Sequence, residues 1–371
     1  MSNLIFINQA YLKHSAIISR LRECAPQHNW DAMLDTLKVF PRTRNMYCRG
    51  GVNVFPFRTD ICDVLHARMP DSTNFREQSF AEITDQRCQE LCISHGHKPW
   101  IIEWSGGIDS TVIITSFMRN LSAAQRQNIT VACNAASVYE YPWFYENVIK
   151  PNFAITNTTI TQDPQRVTNY FVITGEMGDQ IYPGGIWPIV LQGGFDVNQN
   201  MFSSPDDLIA QLTKWANAKF AHWFYEQTIT NIRSVDLPLR NYYDFYWWVS
   251  FNFIWTGIML RGLRGAWAPN VSVKHFLDTV INWYDYPEYQ VWSLSCPGPL
   301  THTLGGYKHS SKEYIYSYTN DLYYLKFKVK VFSTSTHMDK TSWIGMTNDL
   351  KLLTLDDLPE ILDLLPGLVQ P

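Results

Sequence analysis

The stretch Lys98–Asn120, KPWIIEWSGGIDSTVIITSFMRN, decides the fold predicted for this chain. Its apolar run Trp100–Trp104 predicts a buried strand, which breaks at a serine followed by two glycines. After Asp109, apolar residues return at helical spacing and would share one face of a helix. These residues are Ile113, Ile114, Phe117, Met118 and Leu121. The segment therefore predicts strand, glycine turn and helix, the repeating unit of an α/β protein.

The glycine turn is a candidate anion site. The first backbone N–H groups of a helix have no internal partners and point, with the positive end of the helix dipole, at whatever lies over the turn. Gly106 and Gly107 let the backbone approach a ligand closely, and Ser105 and Ser110 add hydroxyl donors. Asp109 offers a carboxylate oxygen of the kind that Mg²⁺ prefers beside phosphates. The alternative is a plain strand-to-helix connection, which such a turn alone does not exclude.

A second motif, YFVITGEMGDQIYPGG, begins at Tyr170. Its first five residues predict another buried strand, and Gly175 ends that strand. Glu176 and Asp179 would project into one site if a helix started here. Two carboxylates facing a triphosphate repel it unless a divalent cation lies between them, so Asp179 is paired with Asp109 as a predicted Mg²⁺ ligand. The alternative is a capped helix start without chemistry.

The motifs SGGIDS at Ser105–Ser110 and GEMGDQIYPG at Gly175–Gly184 start seventy residues apart. Together they resemble the synthetase domain of asparagine synthetases and their relatives, including β-lactam synthetases and lasso-peptide cyclases. That family belongs to the ATP pyrophosphatase superfamily, whose pyrophosphate loop binds ATP for cleavage between the α and β phosphates. The resemblance implies an α/β fold with a doubly wound, mostly parallel sheet of the adenine nucleotide α-hydrolase-like type, additional helices and a small N-terminal region. The Walker and dinucleotide-binding patterns do not match.

The resemblance implies a role for each residue of the two motifs. Glu176 would serve the acceptor side of the reaction, and Asp179 would join Asp109 in binding Mg²⁺. The residues implied in binding ATP and its pyrophosphate are Ser105, Gly106, Gly107, Asp109, Ser110 and Gly175. The second motif departs from the family pattern in three places. Met177 stands where the family has a glycine, Gln180 where it has a second acid, and Tyr182-Pro183 where it has phenylalanine-glycine.

A lysine segment follows later in the chain. The sequence LKFKVKVFS, Leu325–Ser333, predicts an extended strand with Lys326, Lys328 and Lys330 on one face. Synthetases of this family have a lysine shortly before a phenylalanine-serine, which stabilises the adenylate and the transition state. Lys328 and Lys330 straddle that place, so each is a candidate catalytic residue. The alternative is an edge strand whose lysines prevent pairing with other chains.

The resemblance implies a synthetase that forms AMP and pyrophosphate from ATP. A carboxylate or carbonyl oxygen of the substrate would attack the α-phosphate, and an amine would then displace AMP. Glutamine-using members of the family carry an N-terminal cysteine nucleophile in a long glutaminase domain, whereas here Ser2 follows Met1 and a block of only 95 residues precedes the motifs. We therefore expect a small-molecule or peptide substrate with an amine acceptor and no glutamine hydrolysis in cis. Two alternatives stay open: a nucleobase- or tRNA-modifying pyrophosphate-loop enzyme, and a nucleotide-binding scaffold with a relic site.

Composition limits the partners and the location. The 371 residues carry a formal net charge of −4, so no global basic field favours nucleic acid. The seven cysteines form no CxxC pair, which is typical of reduced thiols in a cytoplasmic protein. The run Asn241–Leu260 approaches the length of a membrane span, but Ser250 and Asn252 interrupt it, which favours a buried helix and no membrane partner.

The motifs suggest three consecutive blocks. Residues 1–95 form an N-terminal region of unknown role, 96–335 the synthetase-like domain and 336–371 an acidic C-terminal extension. The extension is expected to dock on the body of the protein, on a second copy or on a partner. Further elements predicted from periodicity are helices at Leu4–Leu21, Trp30–Phe40, Phe75–His95 and Asp356–Leu365, a strand at Asn128–Asn134, and an aromatic loop running into a short helix at Ser137–Phe153.

Overall fold

The structure is a computed structural model, and the chain divides into two compact units. One comprises Met1–Ser72, Pro183–Arg261 and Thr341–Pro371, and the other Thr73–Tyr182 and Gly262–Lys340. The residues that the structure describes are 4–7, 11–12, 14–39, 78–96, 98–157, 168–182, 198–215, 217–255, 258, 273–295, 308–328, 343–347, 349 and 351–369.

The strands and helices of the described residues follow the chain in this order. The strands are β1 Leu4–Ile7, β2 Trp100–Glu103, β3 Ile129–Ala132, β4 Ala154–Thr156, β5 Phe171–Thr174, β6 Val280–Asn282, β7 Trp343–Thr347 and β8 Leu352–Thr354. The α-helices are Ser15–Cys24, Trp30–Val39, Phe80–His95, Ile108–Asn120, Ala123–Arg126, Ala135–Glu140, Pro142–Phe144, Lys150–Asn152, Pro205–Trp215, Ala218–Arg233, Tyr242–Val249, Val273–Thr279, Pro287–Ser295, His309–Thr319, Leu322–Phe327 and Leu358–Leu368. The π-helical turns are Tyr145–Ile149 and Ser250–Ile254, and Leu355–Asp357 is a 3₁₀ turn.

A parallel sheet of five strands lies at the centre of the second unit. Among the described residues its spatial order is β4-β3-β2-β5-β6, and every neighbouring pair is parallel. The predicted α/β class with a mostly parallel sheet is confirmed at that level. Strands β2, β3 and β4 follow one another to one side, while β5 and β6 lie to the other side. The order therefore reverses between β2 and β5, and ligands of open α/β sheets bind beyond the carboxyl ends of the strands at such a reversal.

The central strands are buried on both faces, because consecutive residues such as Ile101 and Ile102 are each nearly inaccessible. Ile102 of β2 and Ile173 of β5 are fully buried and paired in register. Buried parallel strands have continuous apolar runs, which is why their strand character was visible in the sequence. The predicted strands Trp100–Trp104, Asn128–Asn134 and Tyr170–Thr174 are confirmed, with ends shifted by one or two residues.

The helix that precedes β2 begins five residues later than its periodicity predicted. Ser79 is its N-cap: the Ser79 hydroxyl accepts from the Glu82 amide at 3.2 Å, and the Glu82 carboxylate accepts from the Ser79 amide at 2.8 Å. This capping box satisfies two amides that would otherwise lack partners, so the helix starts at Phe80. Within the second unit, Phe80–His95 packs against the helix Ile108–Asn120 that follows the glycine turn.

The first unit contains a three-stranded antiparallel sheet in the order β1-β7-β8. The helical prediction for Leu4–Leu21 is therefore wrong at its start, because Leu4–Ile7 pairs with Trp343–Thr347 instead. A short apolar run does not distinguish strand from helix until a partner strand is known. The helix Leu358–Leu368, predicted at Asp356–Leu365, contacts β1.

The aromatic run after Asn241 is a buried helix, as predicted. Tyr242–Val249 is entirely buried and continues as the π-helical turn Ser250–Ile254. Asn241 caps its start by accepting from the Asp244 amide at 2.9 Å. None of the helices in the described residues is both long and apolar enough to cross a membrane.

Two predictions are wrong in part. In Ser137–Phe153 the expected short helix is present, but the loop expected before it is also helical. The strand expected at Leu325–Ser333 is helical in Leu325–Phe327, and residues 329–333 lie outside the described residues. Residues 137–153 are largely helical, because Asn134 caps the helix Ala135–Glu140 through the Ser137 amide at 3.0 Å. In the lysine segment, Leu322–Phe327 is helical, since Asp321 accepts from the Tyr324 amide at 2.9 Å. In both places a capping residue next to aromatic side chains overrides strand or loop propensity.

Candidate functional site

The two sequence motifs meet at the strand-order reversal. SGGIDS follows β2, GEMGDQ follows β5, and these strands are hydrogen-bonded neighbours. The two turns also touch backbone to backbone. A Cβ added to Gly175 would lie 2.9 Å from the Ser110 amide nitrogen, and one added to Gly178 would overlap the Asp109 side chain. Glycine at these two positions therefore allows the second turn to lie against the start of the helix that follows the first.

The first turn is closed by its own serines. Gly106 has a φ of +75°, and a Cβ on it would collide with the Ser137 carbonyl oxygen and the Glu140 side chain. The Ser110 hydroxyl accepts from the Ser105 amide at 3.1 Å, and the Ser105 hydroxyl accepts from the Gly107 amide at 3.3 Å. Ser105 is exposed and Ser110 is buried. The two serines thus hold the turn that was predicted to bind an anion.

The second turn is not the start of a helix. Residues 176–182 form successive turns, in which the Gln180 amide donates to the Met177 carbonyl at 2.9 Å. Met177 has a φ of +72° and is only 1% exposed. A left-handed backbone is strained for a residue with a side chain such as methionine and costs glycine nothing. The position at which the resembled family has a glycine is therefore one whose conformation favours glycine.

A lysine joins the acids of the two turns. The Lys308 ammonium lies 2.6 and 2.5 Å from the two carboxylate oxygens of Asp109 and 2.6 Å from Oδ1 of Asp179. The Lys308 side chain is 5% exposed, against 23% for Asp109 and 35% for Asp179. Burial disfavours the charged ammonium, but the two carboxylates outweigh it, so the pKa of Lys308 lies above its usual value. Asp109 and Asp179 are thus within reach of one shared cation.

Lys308 was not identified as a site residue from the sequence. It is the N-cap of the helix His309–Thr319 and has a φ of +61°. A cation at a helix N-terminus faces the positive end of the dipole, which is unfavourable unless acids lie nearby. That mismatch is the local signal that could have indicated an acidic neighbourhood.

A second buried ion pair lies against the glycine turn. The Lys328 ammonium is 2.6 Å from Oε1 of Glu140 and donates to the Glu140 backbone carbonyl at 2.9 Å. Their side chains are 8% and 3% exposed. Because Glu140 packs on Gly106, this pair places Lys328 beside the turn. Lys330, the other candidate lysine, lies outside the described residues.

Other polar groups support the two turns. The hydroxyl of the buried Tyr284 donates to the Asp109 backbone carbonyl at 3.1 Å, and burial keeps the pKa of Tyr284 well above its usual value. The Glu176 amide donates to the Thr174 hydroxyl at 3.4 Å, and that hydroxyl donates to Asn282 at 2.8 Å. These contacts fix the backbone of both motifs, while the Glu176 residue stays half-exposed.

The carboxylates fit a Mg²⁺ site of the kind completed by a nucleotide. Mg²⁺ beside phosphates is commonly held by one or two carboxylates together with water and phosphate oxygens. Asp109 and Asp179 provide two converging carboxylates that are partly open to solvent. Among the residues that the structure describes, no group of three or more histidine, cysteine or acidic residues could bind a metal ion by itself.

The cysteines of the described residues are free thiols: Cys24, Cys88, Cys92 and Cys133. Comparison of the chain with protein-family models, with curated proteins and with solved structures finds no match. An inference about function therefore depends on the chemistry and geometry of the two turns.

Proposed function

We propose that this chain is an ATP-dependent synthetase that adenylates a carboxylate or carbonyl oxygen, releases pyrophosphate and transfers the activated group to an amine. The observation that carries the proposal is the convergence of Asp109 and Asp179 on one cation, Lys308, at the reversal of strand order. A doubly wound sheet binds its ligand at this place. Carboxylates that converge on a cation at this place are suited to bind the divalent counter-ion of a polyphosphate.

The first turn supports a role in binding the phosphates. The helix Ile108–Asn120 directs its N-terminal amides toward the turn, and these amides favour an anion. Fixed donors of this kind stabilise charge that develops on a leaving pyrophosphate. When bound, Mg²⁺ would be held by Asp109 and Asp179 and would neutralise charge on the phosphate oxygens.

Glu176 and Lys328 are assigned to the transfer step. Glu176 follows β5 directly and is half-exposed, so its carboxylate is suited to remove a proton from the attacking amine. Lys328 lies beside the glycine turn, where its ammonium is suited to stabilise charge on the activated acyl group. Lys330 remains the alternative for the second role.

The proposal includes a class of substrate. The activated compound is a small molecule or peptide, the acceptor is ammonia or an amine, and glutamine is not hydrolysed in cis. A nucleic acid substrate is not favoured by the net charge of −4. The proposed location is the cytoplasm, as expected for reduced thiols.

The test is release of AMP and exchange of labelled pyrophosphate into ATP across a panel of amino acids, peptides and cell-extract fractions. Asp109→Asn keeps the shape of the side chain but removes the charge, and we expect it to lower turnover at least about 100-fold. Asp278→Asn is the matched control, because Asp278 is 58% exposed and its ion pair is with Lys274 of its own helix, at 2.8 Å.

Four outcomes would contradict the proposal. Unchanged turnover in the Asp109→Asn variant would show that the convergent carboxylates are not required for the reaction. Exchange that depends on tRNA would favour a nucleic-acid-modifying enzyme, and ATP binding without AMP from any fraction would favour a nucleotide-binding scaffold. Glutamate release from glutamine by the pure chain would refute the absence of glutamine hydrolysis.

A further inference from the structure

We propose that Lys308 is a built-in counter-ion that competes with divalent metal for Asp109 and Asp179, so that Mg²⁺ enters this pair only together with a nucleotide. This inference rests on the proposed nucleotide site. It goes further by assigning an order of binding and by naming the residue that imposes it. The sequence motifs contain the two acids but not the lysine.

The contacts of Lys308 support the competition. An ammonium has three N–H donors, and three carboxylate oxygens lie at 2.5 to 2.6 Å from Nζ. Charge-assisted hydrogen bonds of this length are among the strong ones. A metal ion that binds the same oxygens must take over these interactions. Lys308 therefore lowers the affinity of the two acids for a metal ion alone.

The arrangement also leaves a path by which metal can reach the acids. Lys308 is 5% exposed, whereas Asp109 and Asp179 retain 23% and 35% of their side-chain surface. The lysine thus lies on the buried side of the carboxylates, and their other side is open. A cation approaching from the open side meets carboxylates that the ammonium already partly neutralises.

The backbone keeps Lys308 in place during such an exchange. Lys308 caps the helix His309–Thr319, and its carbonyl accepts from the Lys312 amide at 3.1 Å. Because the helix holds the backbone of Lys308 beside the acids, a metal ion bound between them would lie near the ammonium, and the two cations would repel each other. The negative phosphates of a nucleotide offset that repulsion, which makes metal and nucleotide binding mutually dependent.

The test measures metal binding without catalysis. Mn²⁺ is titrated as a spectroscopic substitute for Mg²⁺, with and without α,β-methylene-ATP, by electron paramagnetic resonance and calorimetry. In the wild-type protein we expect the nucleotide to tighten Mn²⁺ binding by about tenfold or more. Lys308→Met removes the charge and keeps much of the side-chain volume, so Mn²⁺ alone should bind about tenfold or more tightly than to the wild type.

Two further variants make the result specific. Lys308→Arg keeps a cation and should resemble the wild type in its weak binding of Mn²⁺ alone. Adding Asp109→Asn to Lys308→Met should abolish the gain in Mn²⁺ affinity, since one of the two acids is then neutral. Circular dichroism establishes that each variant is folded before its affinity is interpreted.

The inference is overturned if folded Lys308→Met binds Mn²⁺ no more tightly than the wild type. If that variant does not fold, the wild-type titration decides, because equal Mn²⁺ affinity with and without an analogue that calorimetry shows to be bound would exclude the competition. Failure of the proposed function is distinguishable from both results. In that case the wild type would not bind the nucleotide analogue at any Mn²⁺ concentration, while Lys308→Met would still gain affinity for Mn²⁺ alone.

Discussion

Replacing Met177 with glycine should destabilise the protein less than replacing it with alanine, which is the reverse of the usual order. Met177 holds a left-handed backbone at a φ of +72° while its side chain is 1% exposed. Burial of the Met177 side chain therefore stabilises the fold, whereas the left-handed backbone conformation of Met177 destabilises it. Glycine and alanine both remove the side chain, but glycine alone also removes the strain.

The magnitudes follow from these two contributions. Truncating a buried methionine to alanine lowers the free energy of unfolding by about 2–5 kcal/mol. Alanine retains a left-handed backbone that costs about 1–2 kcal/mol, which glycine avoids. Glycine in turn gains freedom in the unfolded chain, which offsets about 0.4–1 kcal/mol of that benefit. We therefore expect Met177→Gly to be more stable than Met177→Ala by about 1 kcal/mol, and both to be less stable than the wild type.

The assay is urea unfolding followed by circular dichroism, with the free energy obtained by linear extrapolation. Met118 is the matched control, because it lies within the helix Ile108–Asn120 of the same unit. There the ordinary order should hold, with the alanine variant about 1 kcal/mol more stable than the glycine variant. If alanine were also the more stable replacement at Met177, the left-handed conformation of the second turn would be refuted.

Three further predictions concern the surroundings of the two turns. Gly175→Ala should lower the free energy of unfolding by about 1–3 kcal/mol, because the added Cβ meets backbone atoms. Gly107→Ala should lower it by less than about 1 kcal/mol, because the added Cβ meets a serine hydroxyl at 3.2 Å. The urea midpoints of the two variants test this difference. Glu140→Gln should cost about 3–5 kcal/mol by leaving the buried Lys328 without its charged partner, and a loss below about 1 kcal/mol in the same assay would contradict a buried pair. Burial and the Lys328 charge lower the pKa of Lys312, so near pH 10 the unfolded chain binds more protons than the folded one. The stability that this group contributes therefore rises with pH up to its unfolded pKa, and Lys312→Met should remove that rise. The measurement is the difference in urea midpoints between pH 8 and pH 10.5, and an unchanged pH dependence would count against the lowered pKa.

The parallel sheet was predictable because its strands are buried on both faces. The runs Trp100–Ile102 and Phe171–Ile173 are continuous and apolar, and a glycine motif follows each strand. The rule that ligands bind beyond the carboxyl ends of such strands then brings the two motifs together. No residue outside the motifs was needed for that inference.

The two buried lysine pairs could not be predicted in the same way. Lys308 and Asp109 are 199 residues apart, and Lys328 and Glu140 are 188 residues apart. No local periodicity links residues at such separations, and each lysine alone is typical of a solvated surface. Only the fold shows that these ammonium groups are buried against acids.

Helix capping explains why the secondary structure of two segments was predicted wrongly. The aromatic residues after Asn134 and the alternating lysines after Asp321 have patterns that favour loop or strand. Both segments nevertheless begin with a side chain that accepts from a backbone amide three residues later. A capping contact of this kind favours a short helix, and it is easily missed where the following residues are poor helix formers.

The charges of the site explain why the proposed substrate would be a metal–nucleotide complex. Lys308 is already paired with Asp109 and Asp179, and Lys328 with Glu140. A triphosphate that recruited either lysine alone would have to break a buried ion pair, at a cost of about 3–5 kcal/mol. A nucleotide that brings Mg²⁺ compensates the carboxylates as it enters, so each negative group keeps a cation throughout. At the proposed site, the paired lysines would thereby discriminate against free phosphate esters and favour a ligand that carries its own divalent charge.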